Sequence, residues 1–246
     1  MLRHAEEVMG TVVSFAVPGA SSAAVLAEAI AELHRLDAMF STYRAGSEIS
    51  RLSRGELTID QCDPLVREVL AQCAAVAAES DGYFSELAVD GSLDPSGWVK
   101  GWAVERASAL LAPALPNHTI SGGGDVRTRS VDGQRPWRIG VADPQQPDHL
   151  VAVLTATHDF AVATSGTAER GAHIHDPHTG RPAAGFLSVT VVGPELARTD
   201  AYATAAFAMG PTRALPWLTA LPEHEALAVL PDGQRVGTPG ITRYLG

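Results

Sequence analysis

The sequence predicts an α+β fold in which helices dominate the first half of the chain and strands dominate the second. Apolar residues recur at helical spacing before residue 112, whereas short β-branched runs separated by turn residues follow residue 117. Helices and strands that are segregated in this way are typical of α+β folds rather than of alternating βαβ units. Because no long polar linker or low-complexity tract interrupts the chain, we expect one domain over residues 1–246.

The first half contains one strand signal followed by helix signals. β-branched residues that end at Pro18-Gly19 predict the strand. A capping side chain followed by apolar residues three and four apart predicts each helix, and the clearest start is the capping aspartate and first-turn proline of Asp63-Pro64. The predicted elements are a strand over residues 8–17, a helix from the Ser21-Ser22 cap to Phe40, a turn or short helix over 47–52, a helix from Pro64 to a stop near Asp81-Gly82, and a helix over 97–111.

The second half consists mainly of short apolar runs with strand character. Between them stands one long helical pattern, which ends before Gly210-Pro211. We predict a helix over residues 197–209 and strands over residues 118–121, 137–141, 150–156, 160–163, 187–192 and 225–230.

Composition and charge exclude some classes of partner. The 246 residues carry 18 basic and 28 acidic side chains, which gives a formal net charge of −10. Such a chain lacks the basic surface that phosphate backbones require, and anionic lipid headgroups repel it, so we expect neither nucleic-acid binding nor stable membrane insertion. The first residues contain no apolar leader segment, and the two cysteines, Cys62 and Cys73, show no disulfide framework or metal spacing. We therefore expect a cytoplasmic protein.

A cluster of three histidines, His173, His175 and His178, surrounds Asp176 and raises the hypothesis of a zinc site. Alternating histidines on an extended segment project to one side, as a metal site requires. The metallo-hydrolase pattern H-x-H-x-D-H would need its aspartate where Pro177 stands, and a shift by one residue on a strand turns the carboxylate to the other face. A polar turn that begins at Asp176 is the alternative, and it leaves His173 unexplained.

The loop Ser121–Asp125 contains three consecutive glycines after a predicted strand. Backbone N–H groups of such a loop can approach a phosphate, but the G-x-G-x-x-G spacing is missing and no helix pattern follows. A tight turn between two strands is the favoured interpretation.

Asp200 and Thr204 lie four residues apart on the predicted helix 197–209, so their oxygens project from the same face. Completed by backbone carbonyls and substrate phosphate oxygens, they form a hard donor set that suits Mg²⁺. The alternative is that Asp200 caps the helix and that Thr204 is buried without a role.

Lys100 is the single lysine of the chain, and it lies in the first turn of the predicted helix 97–111, after the capping residue Asp94. A helix N-terminus and an ammonium group both attract anions, so this segment is a candidate phosphate site. Three aromatic residues in turn-like segments are candidates to stack on a planar ligand, with core burial as the alternative: Tyr43, Tyr83 and Phe84.

In chain order, these segments resemble the motifs of the FAD:protein FMN transferases, the ApbE-like flavin transferase family. The resemblance begins at Met9-Gly10-Thr11 and extends to about Gly210. Ser85 stands where the G-x-F-D block of the family has an aspartate, and a hydroxyl cannot supply a carboxylate's charge. The matching blocks, in order, are Ser41–Arg44 with Ser47–Leu52, Gly82–Ser85, Asp94–Gly101, Thr164–Gly166, His173–Gly180 and Asp200–Ala205.

The resemblance implies a T-fold-like structure in which helices pack on a mainly antiparallel sheet. It also implies that Asp200 and Thr204 hold Mg²⁺ with backbone carbonyl help from near Gly97, and that His173 is the catalytic histidine. His175 falls where the family motif has no histidine, as does His178, which removes most of the case for zinc. The residues implied to contact FAD are Met9, Tyr43, Tyr83, Phe84, Ser85, Asp94, Lys100 and Ile174.

The activity that the resemblance implies is Mg²⁺-dependent transfer of FMN from FAD to a Thr or Ser hydroxyl of an acceptor flavoprotein, with release of AMP. His173 would take the proton of that hydroxyl. Two alternatives stay open. One is an Mg²⁺-dependent FAD pyrophosphatase, in which water replaces the protein hydroxyl; the other is a non-catalytic flavin-binding protein, which Ser85 makes conceivable.

Overall fold

The structure is a computed structural model, and it describes residues 2–17, 23–131, 133, 136–146, 148–167 and 174–246. The described residues form twelve strands and six α-helices, together with 3-10 helices at Ile59–Gln61 and Pro239–Arg243. The strands are β1 (Leu2–Val8), β2 (Thr11–Val17), β3 (His118–Gly122), β4 (Asp125–Arg129), β5 (Trp137–Ala142), β6 (Leu150–Ala156), β7 (Phe160–Gly166), β8 (His175–Asp176), β9 (Arg181–Pro182), β10 (Ser188–Gly193), β11 (Glu225–Val229) and β12 (Arg235–Gly237). The helices are α1 (Ala23–Phe40), α2 (Glu48–Ser53), α3 (Pro64–Glu79), α4 (Ser96–Leu111), α5 (Leu196–Met209) and α6 (Pro211–Ala220).

Eight of the strands form one sheet in the order β1-β2-β3-β4-β7-β10-β11-β12, and every neighbouring pair in it is antiparallel. Two small antiparallel sheets, β5-β6 and β8-β9, accompany it. The prediction of helices combined with a mainly antiparallel sheet is therefore confirmed. That residues 1–246 form one domain stays a prediction.

The sheet is covered on both faces. Alternate residues of β7 point to opposite sides, so Ala161 and Ala163 join the core under α1, α4 and α5, while Phe160 and Val162 join a second cluster. The hairpin β5-β6 closes that second cluster, with Leu154 fully buried in it. Among the described residues, no helix has the length and the apolar character needed to cross a bilayer.

Two helices of the first half begin at a side-chain cap, and one of these caps was predicted from the sequence. The Asp63 carboxylate accepts a hydrogen bond from the Leu65 N–H at 2.8 Å, and Pro64 opens α3. The Ser47 hydroxyl accepts from the Ser50 N–H at 3.1 Å and caps α2. The Ser21-Ser22 cap that was predicted for α1 lies outside the described residues.

The prediction of a single strand over residues 8–17 is wrong, because the structure has a hairpin there. β1 and β2 pair from Leu2 opposite Val17 to Val8 opposite Thr11. Met9 and Gly10 form the two-residue turn, both with left-handed backbone angles, φ 56° and 68°. A type I′ hairpin turn requires two positive φ values. Methionine rarely adopts a positive φ, so the sequence pattern did not predict a turn at Met9.

Several further elements were not predicted, among them β4, β12 and α6. β4 follows the glycine-rich turn, and its sequence is too polar to resemble a buried strand. Its buried polar groups are satisfied at a distance, since Arg127 pairs with Glu105 at 2.9 Å and the Thr128 hydroxyl donates to the Phe160 carbonyl at 3.0 Å. β12 was also missed. So was α6, which begins at Pro211, where the sequence had indicated only the end of α5.

The helices α4 and α5 approach each other so closely that only a glycine fits at the contact. A β-carbon on Gly101 would lie 2.8 Å from Cα of Ala197 and 2.9 Å from the carbonyl oxygen of Leu196. Both of these are backbone atoms of α5, so no side chain can rotate away. The contact brings the start of α4 against the first turn of α5.

We expect Gly101→Ala to destabilise the protein. Alanine gains about 1 kcal/mol of helix propensity over glycine, but overpacking against fixed backbone costs about 1–3 kcal/mol, and here the contact is closer than any Cβ tolerates. Thermal unfolding should show a Tm lowered by up to roughly 8 °C. Gly46→Ala is the control, since a β-carbon there meets nothing within 4 Å, and a Tm for Gly101→Ala equal to that of the control would contradict the prediction.

Candidate functional site

A cavity of about 1040 Å³ opens where the β1–β2 turn, the ends of α1 and β7, the first turn of α4 and one face of α5 meet. Every described residue that the sequence predicted for the site lies in its lining, although they come from segments spread over most of the chain. His173 lies outside the described residues, and its neighbour Ile174 is in the lining. The residues brought together are Met9, Tyr43, Tyr83, Phe84, Ser85, Asp94, Gly97, Lys100, Ile174, Asp200 and Thr204.

A buried charge cluster forms the floor of the cavity. The Lys100 ammonium forms an ion pair with Asp125, and its Nζ lies 3.4 Å from Oδ2 of Asp200. Both aspartates are almost fully buried, while about a quarter of the Lys100 side chain is exposed. Burial by itself would lower the pKa of Lys100, but the charges of Asp200 and Asp125 outweigh it and raise that pKa above its usual value. Lys100 is therefore a fixed positive charge.

Asp200 and Thr204 have the arrangement that their spacing predicted. α5 begins at Leu196, so Asp200 lies inside the helix and is not its cap. The alternative in which Asp200 caps the helix is therefore wrong. The Thr204 hydroxyl lies 3.2 Å from the hydroxyl of Ser165, the middle residue of the Thr164–Gly166 block. Ser165 thus brings a third oxygen to the same corner of the cavity.

These oxygens fit a magnesium ion. A buried carboxylate with a hydroxyl one helical turn later offers hard donors, and Mg²⁺ is commonly held by one or two carboxylates together with substrate phosphates. Within the described part of the chain, no three His, Cys, Asp or Glu side chains come together to hold a metal ion.

The glycine-rich segment is a turn between strands, as its pattern indicated. Gly123 and Gly124 connect β3 to β4 with φ angles of 58° and 87°, both in the left-handed region. Asp125, the residue after the turn, is 1% exposed and accepts the Thr164 N–H at 3.0 Å. Asp125 was not predicted from the sequence, which marks it only as a charged residue directly after a glycine turn.

The aromatic candidates differ in their surroundings. Phe84 and Tyr83 are buried, with 2% and 9% of their surfaces exposed. Both residues nevertheless line the cavity, so the two predicted alternatives are compatible. Tyr43 is 96% exposed at the cavity mouth. The Ser85 hydroxyl accepts the Leu87 N–H at 3.0 Å and is thereby used in a local turn.

The first turn of α4 opens toward the cavity. The Asp94 carboxylate accepts the Ser96 N–H at 3.1 Å, but Asp94 is not the helix cap that was predicted, because the N-cap of α4 is Pro95. A β-carbon on Gly97 would lie 3.2 Å from the Phe84 ring, so glycine lets that ring pack against the helix start. Ser96 and Gly97 of this turn are in the cavity lining, and a helix N-terminus attracts negative charge.

The segment after Ile174 is a polar turn that connects β8 to β9. Asp176 accepts the His178 N–H at 2.9 Å and the Thr179 hydroxyl at 3.0 Å. The His178 ring donates from Nε2 to the Asp81 carbonyl at 2.8 Å, and it packs edge-on to Tyr83 with 4.5 Å between ring centroids. His178 thus fastens the Tyr83 segment to the turn.

We expect His178→Ala to loosen the segment that carries Tyr83. One hydrogen bond and one aromatic contact are lost, which is worth about 1–2 kcal/mol locally. Hydrogen–deuterium exchange at residues 82–85 should become faster. His178→Gln retains a donor for the Asp81 carbonyl and should restore part of the protection; equal exchange in all three proteins would show that His178 does not hold the segment.

Solved structures with known folds resemble this chain over its whole length. The ApbE protein of Thermotoga maritima superposes with a TM-score of 0.85 at 21% identity and covers 100% of this chain and 99% of its own. The flavin transferase ApbE of Vibrio cholerae superposes with a TM-score of 0.83 at 22% identity, with 99% of both chains covered. At such identities the likeness shows the fold.

Curated relatives match part of the sequence. The FAD:protein FMN transferase of Rhodobacter capsulatus is 31% identical over 156 residues, which is 60% of this chain and 30% of the relative. The protein of the same name from Vibrio cholerae is 33% identical over 135 residues, 50% of this chain and 40% of the relative. The chain thus spans about a third of the length of the curated relatives it matches.

The family model described as "ApbE family" matches residues 9–89 and 85–228, a range that includes every predicted site residue. Because this match covers well over half of the chain, the chain belongs to the ApbE family.

Proposed function

We propose that this chain transfers FMN from FAD to a hydroxyl group of an acceptor protein, with AMP as the leaving group. The observation that carries the proposal is the convergence of eleven motif residues, from Met9 to Thr204, on the lining of one cavity. The relatives named FAD:protein FMN transferase support the same reaction. A Thr or Ser acceptor and a cytoplasmic location are parts of the proposal that come from the sequence.

The cavity has surfaces suited to both ends of a flavin dinucleotide. The buried rings of Tyr83 and Phe84 form an apolar wall against which a planar ring can pack. The α4 N-terminus at Gly97 and the Lys100 ammonium provide donors and positive charge for a pyrophosphate. Met9 and Ile174 are also part of the lining.

The charges of the lining support a role for a divalent cation. The described lining residues include five aspartates and one lysine, namely Asp37, Asp94, Asp143, Asp176, Asp200 and Lys100. An anionic dinucleotide would be repelled by this excess of carboxylates. We propose that Asp200 and Thr204, with carbonyl help from near Gly97, hold Mg²⁺. When bound, the ion would supply positive charge to the phosphoryl oxygens.

We propose that His173 is the general base. The acceptor hydroxyl gives its proton to the imidazole while its oxygen forms a bond to the FMN-side phosphorus, and the bond from that phosphorus to the AMP oxygen breaks. A histidine with a pKa near 6.5 suits this task near neutral pH. The assignment rests on the family motif and on Ile174, the next residue, which lies in the cavity lining.

We expect His173→Ala to bind FAD with an affinity close to that of the unchanged protein but to transfer no FMN. In the proposed reaction this side chain acts on the proton of the acceptor, so FAD binding should not depend on it. Incubation of the variant with FAD, Mg²⁺ and an acceptor domain, followed by mass spectrometry of the acceptor, measures the transfer. FAD fluorescence measures binding, and transfer at a near-normal rate would refute the assignment.

The same incubation distinguishes transfer from hydrolysis. A mass increase on the acceptor together with AMP indicates transfer. Free FMN together with AMP indicates the pyrophosphatase reaction, in which water takes the place of the hydroxyl. No AMP under any condition would favour the non-catalytic flavin-binding protein.

We expect Asp200→Asn to raise the Mg²⁺ concentration needed for half-maximal transfer by at least about tenfold, because an amide attracts a divalent cation far less than a carboxylate does. High Mg²⁺ should restore most of the rate. A Mg²⁺ titration of both proteins after EDTA treatment makes the measurement. If EDTA leaves the unchanged protein fully active, the metal proposal is wrong.

A further inference from the structure

We propose that Asp125 is a positioning residue of the metal site. Its negative charge attracts the Lys100 ammonium and thereby weakens the competition between Lys100 and a divalent cation for the Asp200 carboxylate. This inference rests on the proposed function. Asp125 is absent from the family blocks that identified the site. It is also not part of the cavity lining, so it can act there only through the residues it contacts.

Asp125 is a buried carboxylate with two partners that both belong to the cavity. It is 1% exposed, and its Oδ2 atom is fully shielded from solvent. One oxygen pairs with the Lys100 ammonium, and Oδ1 accepts the Thr164 N–H at 3.0 Å. Such partners hold a buried carboxylate in one place, so the position of Asp125 is fixed by the fold.

Each partner leads directly to one of the proposed metal ligands. Lys100 lies 3.4 Å from Oδ2 of Asp200. Thr164 precedes Ser165, whose hydroxyl lies 3.2 Å from the hydroxyl of Thr204. Asp125 is therefore connected through one neighbour to Asp200 and through another to Thr204.

The electrostatic consequence follows from the charges. Asp125, Lys100 and Asp200 together carry a net charge of −1, with the ammonium closer to Asp125 than to Asp200. Without the charge of Asp125, the ammonium would be left with Asp200 alone, and this pair is neutral. A cation would then have to compete with Lys100 for the Asp200 carboxylate, so its affinity falls.

The local chain holds Asp125 in place for this task. Gly123 and Gly124 make the turn that allows β4 to start directly beneath α4, and a β-carbon on Gly123 would lie 3.5 Å from Cδ of Lys100. The Lys100 stem thus passes over the turn to reach the carboxylate that follows it. The close contact of Gly101 with Ala197 sets the distance from the same stem to α5.

The test compares three variants with the unchanged protein: Asp125→Asn, Lys100→Met and the double variant. Asparagine retains an oxygen for the Thr164 N–H and removes only the charge. In the double variant no buried ammonium is left without a partner, so it remains informative if Asp125→Asn folds poorly. Electron paramagnetic resonance measures the Kd for Mn²⁺ without FAD, and FAD fluorescence in EDTA measures the Kd for FAD without metal. Mn²⁺ sites that persist in Asp200→Asn are subtracted as surface binding.

We expect Asp125→Asn to raise the Kd for Mn²⁺ by about tenfold while the Kd for FAD in EDTA stays equal or falls. Lys100→Met should lower the Kd for Mn²⁺ and raise the Kd for FAD. The double variant restores the net charge of −1, and its Kd for Mn²⁺ should lie within about threefold of the unchanged protein. In each single variant the Kd for Mn²⁺ and the Kd for FAD should therefore not rise together. A general loosening of the fold would instead weaken the binding of both.

Two results would overturn the inference. One is a Kd for Mn²⁺ in Asp125→Asn within twofold of the unchanged protein; the other is a parallel loss of Mn²⁺ and FAD affinity in that variant. If the unchanged protein binds no Mn²⁺ that depends on Asp200, the proposed metal site itself is wrong and the inference with it, whereas normal Mn²⁺ binding with unaffected variants removes only the role of Asp125.

Discussion

The site depends on the close contact between α4 and α5 at Gly101. Because a hydrogen replaces a side chain there, the backbone of α5 at Ala197 lies against α4 at a distance that no other residue permits. Lys100 directly precedes the glycine, and Asp200 follows Ala197 by about one helical turn, so the contact carries both charges to the same place. The packing of the two helices thus sets the distance between Lys100 and Asp200, on which the proposed chemistry relies.

The buried charges near this contact contribute position rather than stability. Desolvation offsets much of the attraction between Lys100 and its two aspartates, so such a cluster adds little to the free energy of unfolding. What it provides is an ammonium and carboxylates held in one arrangement by burial and by the Thr164 N–H. The sequence shows Asp125 only as the end of a glycine turn, because its partners are far away along the chain.

Much of the architecture could be predicted because its signals are local. The Asp63 cap, the helical spacing that contains Asp200 and most strand positions depend on residues within a few places of each other, and the structure agrees with them. The N-terminal hairpin was missed because Met9 adopts a positive φ that methionine rarely takes. β4 was missed because Arg127 is buried against Glu105, a partner that the sequence does not mark. The motif residues converge on one cavity, but only folding shows that Tyr83 is buried while Tyr43 is not.

The replacement at Ser85 is consistent with the charge of the cavity. Five aspartates already line it against one lysine, so a further carboxylate at this position would add to the repulsion of an anionic dinucleotide. The serine hydroxyl instead accepts the Leu87 N–H and shapes the turn at the opening. The acidic character of the whole chain, −10 over 246 residues, thus extends into the proposed substrate site. An anionic substrate in such a site requires local positive charge, and Lys100, held between Asp125 and Asp200, is too fully neutralised to supply it alone. On this argument a cation bound at Asp200 would strengthen FAD binding as well as serve transfer.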